Sequence, residues 1–152
     1  LTPDGPKVIE YNCRFGDPET QVVLPLLETD IMDIIEAVWE EKLDALDIKW
    51  SDKSCACVVM ASGGYPEKYE TGKVISGLDE NGQCEGAFVY HAGTKLEDGK
   101  FLTAGGRVLG ITAYGDTLKE ALDTAYKAVD TISFEKAHYR HDIGKKALSA
   151  LK

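Results

Sequence analysis

The sequence lacks the features that mark membrane-spanning and nucleic-acid-binding proteins. It has no apolar run near the roughly 20 residues that a membrane-spanning helix needs. Lys and Arg together number 17 against 26 Asp and Glu, which gives a net charge of −9, and no long basic run offsets this negative field. We therefore expect neither a membrane nor a nucleic acid as partner. An anionic small molecule would need a local basic pocket.

Cysteine is scarce, and its spacing excludes two common uses. Cys13, Cys55, Cys57 and Cys84 form neither a zinc-type C-x-x-C pair nor the framework of a small disulfide-rich domain. Cys55 and Cys57 have strand spacing within an apolar run, which predicts that they share one buried face. Buried free thiols are typical of a reducing compartment, so we expect a cytoplasmic protein. The opening residues 1–6 lack methionine and resemble neither a signal peptide nor a natural start.

The 152 residues suffice for one domain, or for one domain and a piece of another, and 43% of them are apolar, as in folded proteins. Turn residues and hydrophobic periodicity predict short strands and three helices. The predicted strands are 7–15, Ser54–Ala61, Lys73–Ser76, Ala87–His91, Lys100–Thr103 and Arg107–Tyr114, and the helices are 18–27 (ended or kinked by Pro25), a segment from a Thr29 cap to about Leu43, and a segment from Thr117 to about Ile132. We predict an α+β fold, in which residues 1–45 end one domain and residues 46–152 form a second domain of antiparallel hairpins packed with a helix.

The segment from Lys7 to Gln21 has the most unusual pattern. Strand alternation places Glu10, Asn12 and Arg14 on one face. A carboxylate, an amide oxygen and a guanidinium suit a hard cation and an anionic oxygen ligand. The same alternation is ordinary for the solvated edge of an antiparallel sheet, and the pattern alone does not choose between these interpretations. Residues 16–18 then break the strand and open the following helix.

Three other local patterns were candidates for binding. The small residues of Ser62–Pro66 suit either a phosphate cradle or a plain turn, and a plain turn is the commoner outcome. His138 and His141 form an H-x-x-H pair without a third ligand, which favours a surface role over a metal site. His91 ends a predicted strand, where contact with a nucleotide and contact with a domain seam both stay open.

Five motifs in the same order resemble the glycinamide ribonucleotide synthetase (phosphoribosylamine–glycine ligase) family of the ATP-grasp superfamily. They are VIEYNCRFGDPETQ at 8–21, SGGYP at 62–66, FVYHAGT at 88–94, GGRVLGITAYGDTL at 105–118 and YRHDIG at 139–144. The family enzyme is longer than this chain. The resemblance therefore implies a C-terminal portion, with the last strand and helices of the ATP-grasp domain in residues 1–45 and the C-terminal domain in residues 46–152.

The resemblance also implies a reaction. ATP, glycine and 5-phosphoribosylamine give glycinamide ribonucleotide, ADP and phosphate through glycyl phosphate, in de novo purine biosynthesis. ATP is then a co-substrate, Mg²⁺ or Mn²⁺ the metal, and the rest of the parent chain an obligatory partner, so this portion alone is expected to be inactive. One alternative is another ATP-grasp enzyme, such as a biotin-dependent carboxylase subunit with its own E-x-N-x-R strand, although the later motifs do not fit it. Another alternative is a non-catalytic binding module.

The family's metal-binding E-x-N pair matches Glu10 and Asn12. The resemblance gives Arg14 a catalytic role, either holding the carboxylate of glycine or steadying the transferred phosphoryl group. Asp17 or Glu19 would bind the ammonium group of glycine, and a helix-start role is an equal alternative for both.

Three further cations are candidates for the phosphate of the ribosylamine, because a phosphate dianion needs an arginine-type fork or a backbone nest. They are Arg107, Arg140 and Lys95. Two alternatives stay open: Arg107 pairs with an acidic residue on a neighbouring strand, and Arg140 pairs with Asp142.

Overall fold

The computed structural model describes residues 1–150, which form a mixed α/β unit with antiparallel strands. The helices are α1 (Thr20–Val23), α2 (Ile31–Trp39), α3 (Leu118–Val129) and α4 (Lys145–Ala150), with 3₁₀ turns at Leu24–Leu26 and Leu43–Ala45. The strands are β1 (Ser54–Ala61), β2 (Phe88–His91), β3 (Thr94–Glu97), β4 (Lys100–Thr103) and β5 (Arg107–Gly115).

The main sheet has three antiparallel strands in the order β1-β5-β2, and β3 and β4 form a separate hairpin. In the register, Ile111 of β5 lies opposite Val58 of β1 on one side and Val89 of β2 on the other. All three side chains are buried in the main core. The alternation of apolar residues along β1 and β5 therefore fixes which face of the sheet receives a helix.

Helix α3 covers that face. Thr117 caps it: the hydroxyl accepts from the Glu120 amide at 3.2 Å, and the Glu120 carboxylate accepts in return from the Thr117 amide, which completes a capping box. Ala121, Ala125 and Val129 lie on the buried side of the helix. The prediction of a long helix beginning at Thr117 is confirmed, with Val129 as its last residue.

The strand predictions are confirmed at Ser54–Ala61 and Lys100–Thr103, and nearly so at β2 and β5. The predicted strand Lys73–Ser76 is wrong, because Val74 bridges β4 whereas Ser76 bridges Ser133, so no single partner supports a ladder. Strand β3 was missed. Its signal is the turn Glu97–Asp98–Gly99: Asp98 and Gly99 have φ of 50° and 70°, as a tight two-residue hairpin turn requires.

The first two helices are shorter than predicted. Helix α1 begins at Thr20, and the chain leaves helical geometry after the 3₁₀ turn that contains Pro25. The cap of α2 is Asp30, whose carboxylate accepts from the Met32 amide at 2.8 Å. The predicted cap, Thr29, has a different partner: its hydroxyl accepts from the Lys49 amide at 2.7 Å and so ties the chain after α2 back to its start.

The predicted strand at residues 7–15 is wrong for this structure. None of these residues is in a strand, and Val8 and Ile9 are 66% and 98% exposed. A strand is stabilised by hydrogen bonds to a neighbouring strand, and residues 1–150 supply no neighbour here. The alternation that would align Glu10, Asn12 and Arg14 is therefore not realised within this chain.

All four cysteines are free, as predicted. Cys55 and Cys57 share a face of β1, also as predicted, but that face is only half-buried and Cys13 is exposed. The reason is that α3 packs on the opposite face, against Ala56, whereas the cysteine face receives only the short α1 and the 3₁₀ turn that follows it. Among residues 1–150, no helix is long and apolar enough to cross a membrane.

Candidate functional site

A cavity of about 310 Å³ opens where the ends of β1 and β5 meet the segment that follows α3. Four stretches that are distant in sequence contribute to its walls. The lining residues are Pro18, Cys57, Val59, Ala61, Tyr65, Arg107, His138, Tyr139, Arg140 and Ile143. Two guanidinium groups and two tyrosine rings thus border one hollow, and this arrangement suits a small anionic ligand with a flat or apolar part.

Arg107 begins β5 and reaches residue 17. Its Nη2 lies 3.1 Å from Asp17 Oδ2, and its Nη1 donates to the backbone oxygen of Asp17 at 3.3 Å. Asp17 Oδ1 also accepts from Gln21 Nε2 at 2.8 Å. Arg107 therefore pairs with an acidic residue, as the alternative proposed, but that residue, Asp17, lies in the turn before α1 and not on a neighbouring strand.

Arg140 forms a two-pronged ion pair with Asp142. Its Nε donates to Asp142 Oδ1 and its Nη2 donates to Asp142 Oδ2, both at 2.8 Å. The hydrogen bonds between them raise the pKa of Arg140 and lower the pKa of Asp142. Both side chains are largely exposed, so this pair adds little to stability and is open to exchange with another anion.

The backbone around Arg140 is fixed by contacts that the sequence did not suggest. His138 exchanges two backbone hydrogen bonds with Ala61, at 2.8 and 3.0 Å, and this places the following residues beside the end of β1. The hydroxyl of Tyr126, on α3, donates to the Arg140 carbonyl at 2.7 Å and accepts from the Ile143 amide at 3.1 Å. The sequence around Tyr126 gives no sign of this anchoring role.

The remaining candidates of the opening segment form a loop held by side chains. Glu19 Oε1 accepts from the Gly16 amide at 2.8 Å and from Asn12 Nδ2 at 2.9 Å. Asn12 Oδ1 accepts from the Arg14 amide at 3.2 Å. Glu10 is exposed and forms no ion pair among residues 1–150. Glu19, the residue before α1, thus organises the loop that joins Asn12 to the helix.

Two predicted candidates lie outside the cavity. Lys95, on β3, pairs with Glu97 of the same strand. His91 is held by Thr94 Oγ1 and by the Gly82 carbonyl, each at 2.9 Å, and its ring lies 5.1 Å from that of Phe101. The structure gives His91 a role in joining the β2–β3 turn to the loop at Gly82.

The turn Ser62–Pro66 holds the glycine pair Gly105 and Gly106 in place. Ser62 is 3% exposed; its hydroxyl donates to the Gly105 carbonyl and its amide to the Gly106 carbonyl, both at 2.8 Å. The ring of Tyr65 covers Gly106 so closely that a Cβ there would lie 2.1 Å from Tyr65 Cδ2. The plain-turn interpretation of this motif fits these contacts, and Tyr65 is a cavity residue that sequence analysis missed.

The two thiols of β1 are not activated. Burial raises the pKa of Cys55 to about 11 and also raises the pKa of Cys57, which lines the cavity. Both thiols are therefore protonated near neutral pH, the less reactive form. Within residues 1–150 no group of three or more His, Cys, Asp or Glu side chains is placed to hold a metal ion.

The motifs that line the cavity lie mostly within one known domain. The family model for "Phosphoribosylglycinamide synthetase, C domain" matches residues 55–146. The chain belongs to this family. The match covers β1 from Cys55 onward, the other four strands, α3 and the Arg140 segment, and it leaves residues 1–54 and 147–152 outside.

Curated relatives extend the similarity over nearly the whole chain. It is 56% identical over 143 residues to a phosphoribosylamine–glycine ligase of Caldanaerobacter subterraneus subsp. tengcongensis, and 52% identical to one of Synechocystis. It is also 49% identical to the trifunctional purine biosynthetic protein adenosine-3 of Gallus gallus. These alignments cover 94%, 93% and 99% of this chain but only 34%, 34% and 15% of the relatives, so the chain spans about a third of the single-function enzymes.

A solved structure agrees with the fold. The crystal structure of a phosphoribosylamine–glycine ligase from Thermotoga maritima matches with a TM-score of 0.71 and 34% identity. The match covers 93% of this chain and 34% of that chain. The mixed α/β architecture with antiparallel strands is therefore one that this enzyme contains.

Proposed function

We propose that the chain is the C-terminal part of an ATP-dependent ligase that joins glycine to 5-phosphoribosylamine in de novo purine biosynthesis, with the cytoplasm as its compartment. The observation that carries the proposal is the cavity. Pro18, Tyr65, Arg107 and Arg140 come from four separate motifs of the family resemblance, and all four line it.

Arg140 is the residue that we assign to the phosphate of the ribosylamine. Its fork is held by one exposed carboxylate, and a phosphate dianion presents more charge and more acceptor oxygens to the same fork. The rings of Tyr65 and Tyr139 supply apolar walls beside it. Lys95 stays a prediction that the cavity does not support.

The donor chemistry of the opening segment fits a magnesium or manganese ion. Glu10 offers an exposed carboxylate, and the Asn12 amide oxygen accepts one hydrogen bond, from the Arg14 amide. Mg²⁺ is commonly bound by one or two protein oxygens and completes its octahedron with phosphates and water. When bound, such an ion would neutralise charge on the β- and γ-phosphates of ATP.

The residues of this chain would then position two reactants. Arg14 would hold the carboxylate of glycine. An oxygen of that carboxylate would attack the γ-phosphorus of ATP, and ADP would leave. The amine of the ribosylamine, held through its phosphate at Arg140, would next attack the activated carbonyl and release inorganic phosphate. Asp17 and Glu19 already have partners in Arg107 and Gly16, which argues against ammonium binding, and neither carboxylate caps α1.

The rest of the parent chain would cover a second, apolar surface. A groove of about 420 Å³ between α2 and the residues around Trp50 is lined entirely by apolar side chains: Phe15, Leu27, Ile31, Ile34, Ile35, Val38, Ile48 and Trp50. A continuous apolar surface of this kind is typical of an interface. In the relatives about two-thirds of the polypeptide lies outside the matched region, and we propose that the upstream part packs here.

The direct test uses the full-length ligase that carries this segment. ADP release should require glycine and phosphoribosylamine together. Glu10→Gln should lower the rate by about 100-fold or more, because several kcal/mol of charge stabilisation is lost. Glu36→Gln, on the exposed side of α2, is the matched control and should have no effect. Full activity in Glu10→Gln would refute the metal assignment.

Arg140 has its own test in the same assay. Arg140→Gln should raise KM for phosphoribosylamine by about 10- to 100-fold, the range for a lost charged hydrogen bond, with a smaller effect on kcat. Asp142→Asn removes only the competing anion, so KM should stay equal or fall. The 152-residue chain alone should release no ADP and should not bind ATP tightly by isothermal titration.

A further inference from the structure

The Arg107–Asp17 contact is a two-point clamp. The guanidinium holds both the carboxylate and the backbone oxygen of one residue, at 3.1 and 3.3 Å. It joins positions 90 residues apart, one at the start of β5 and one three residues before the start of α1. Two parallel contacts from a planar fork restrict orientation as well as distance.

The backbone around Arg107 is held in place by hydrogen bonds. The preceding carbonyls of Gly105 and Gly106 accept from the buried Ser62, and the Arg107 carbonyl accepts from the Gly93 amide at 2.8 Å. In the sheet, Arg107 lies opposite Ala61. The clamp therefore extends from a fixed point of the domain.

On the other side, Asp17 leads directly into the loop that carries the predicted metal ligands. Glu19, two residues on, holds the Gly16 amide and the Asn12 side chain through one carboxylate oxygen. The loop has no strand partner among the described residues, so its course depends on these side-chain contacts, on the clamp and on the hydrogen bonds that the Thr20 amide and hydroxyl donate to the Gly16 carbonyl. Loss of the contact at Asp17 would therefore make the loop between Asn12 and Asp17 more mobile.

We propose that Arg107 is a positioning residue that holds the Glu10–Glu19 loop against β5 through Asp17, and that phosphate recognition rests on Arg140. The clamp stands on the geometry alone. The effect of the clamp on metal and ATP binding rests on the proposed function, so the clamp and this effect need separate measurements.

The first readout is backbone hydrogen exchange of the 152-residue chain, followed by mass spectrometry. Arg107→Gln and Asp17→Asn should each speed exchange in peptides covering 14–20, by up to about fivefold, the upper end of the range for a partly exposed ion pair. Asp17→Asn keeps an oxygen for Gln21, so only the clamp is weakened. The double variant should show no further increase, because both changes remove one interaction.

Two variants sharpen the comparison. Arg107→Lys keeps one charged contact and should be intermediate. Lys119→Gln removes an exposed ion pair with Asp123 on α3 and should leave exchange at 14–20 unchanged. Unchanged exchange at 14–20 in Arg107→Gln would overturn the proposal.

The second readout uses the full-length ligase. Arg107→Gln and Asp17→Asn should raise the apparent KM for metal–ATP to the same extent and leave KM for phosphoribosylamine unchanged. A rise in KM for phosphoribosylamine confined to Arg107→Gln would make Arg107 a phosphate ligand and overturn the positioning role. Absence of any phosphoribosylamine-dependent activity in the wild type would instead refute the proposed function, and hydrogen exchange would still decide the clamp.

Discussion

Gly106→Ala should disrupt the cavity through a single steric conflict. A Cβ at this position would lie 2.1 Å from Tyr65 Cδ2 and 2.6 Å from Cε2. Carbon atoms in contact are about 3.5–4.0 Å apart, so the ring would have to withdraw by roughly 1.4 Å or more. The ring is fixed between Gly106 and Tyr69, whose ring centre is 6.0 Å away. We expect a cost on the order of 1–3 kcal/mol, as for other overpacked sites.

The assay is thermal unfolding of four proteins that form a double-mutant cycle. Gly106→Ala alone should lower Tm by about 2–10 °C for a chain of this size. In a Tyr65→Ala background the same change should cost almost nothing, because the conflicting ring is gone. Gly110→Ala, within β5, is a control, since its Cβ would lie 3.2 Å from Cys57 Sγ and in ordinary contact with Tyr90 Cβ at 3.8 Å and Gln21 Cγ at 3.9 Å. An equal cost of Gly106→Ala in both backgrounds would refute the steric argument.

Three further outcomes are expected. Thr117→Ala should destabilise the chain by about 1 kcal/mol in urea unfolding, since the N-cap of α3 is lost, and an unchanged midpoint would contradict the capping role. Iodoacetamide should label the exposed Cys13 first. Labelling of Cys55 should be slow at pH 8, and its rate should rise about tenfold per pH unit towards the pKa of about 11, because only the thiolate reacts. Fast labelling of Cys55 at pH 8 would contradict its burial. Adding the upstream polypeptide should reduce acrylamide quenching of Trp50, measured as the difference from a Trp50→Phe variant, and unchanged quenching would argue against the proposed interface.

Local signals in the sequence were sufficient for much of the fold. An apolar run between turn residues located β1 with both of its ends, and Thr117 located the start of α3. These elements are determined by neighbours in sequence: a cap uses residues three apart, and a buried strand shows in its own apolar content. Strand β3 was missed because four residues give too short a pattern for periodicity.

The candidate site was only partly accessible from sequence. The motifs identified Arg107 and Arg140, and the structure brings both to one cavity. The partner of Arg107, Asp17, lies 90 residues away, and nothing in local sequence selects it among 26 acidic residues. Tyr65 and Tyr126 gained their roles only through packing against distant backbone.

The sequence by itself determined the family, the central strands and the helix that packs on them, because motifs and periodicity act over short stretches of chain. Tertiary structure alone decided that the opening segment is a clamped loop and not a strand. A strand needs a neighbour to receive its hydrogen bonds, and among the described residues the chain offers this segment the Arg107 guanidinium instead. Whether a residue binds a ligand or another side chain depends on which atoms the fold brings within about 3 Å of it, and that distance is set by the whole chain.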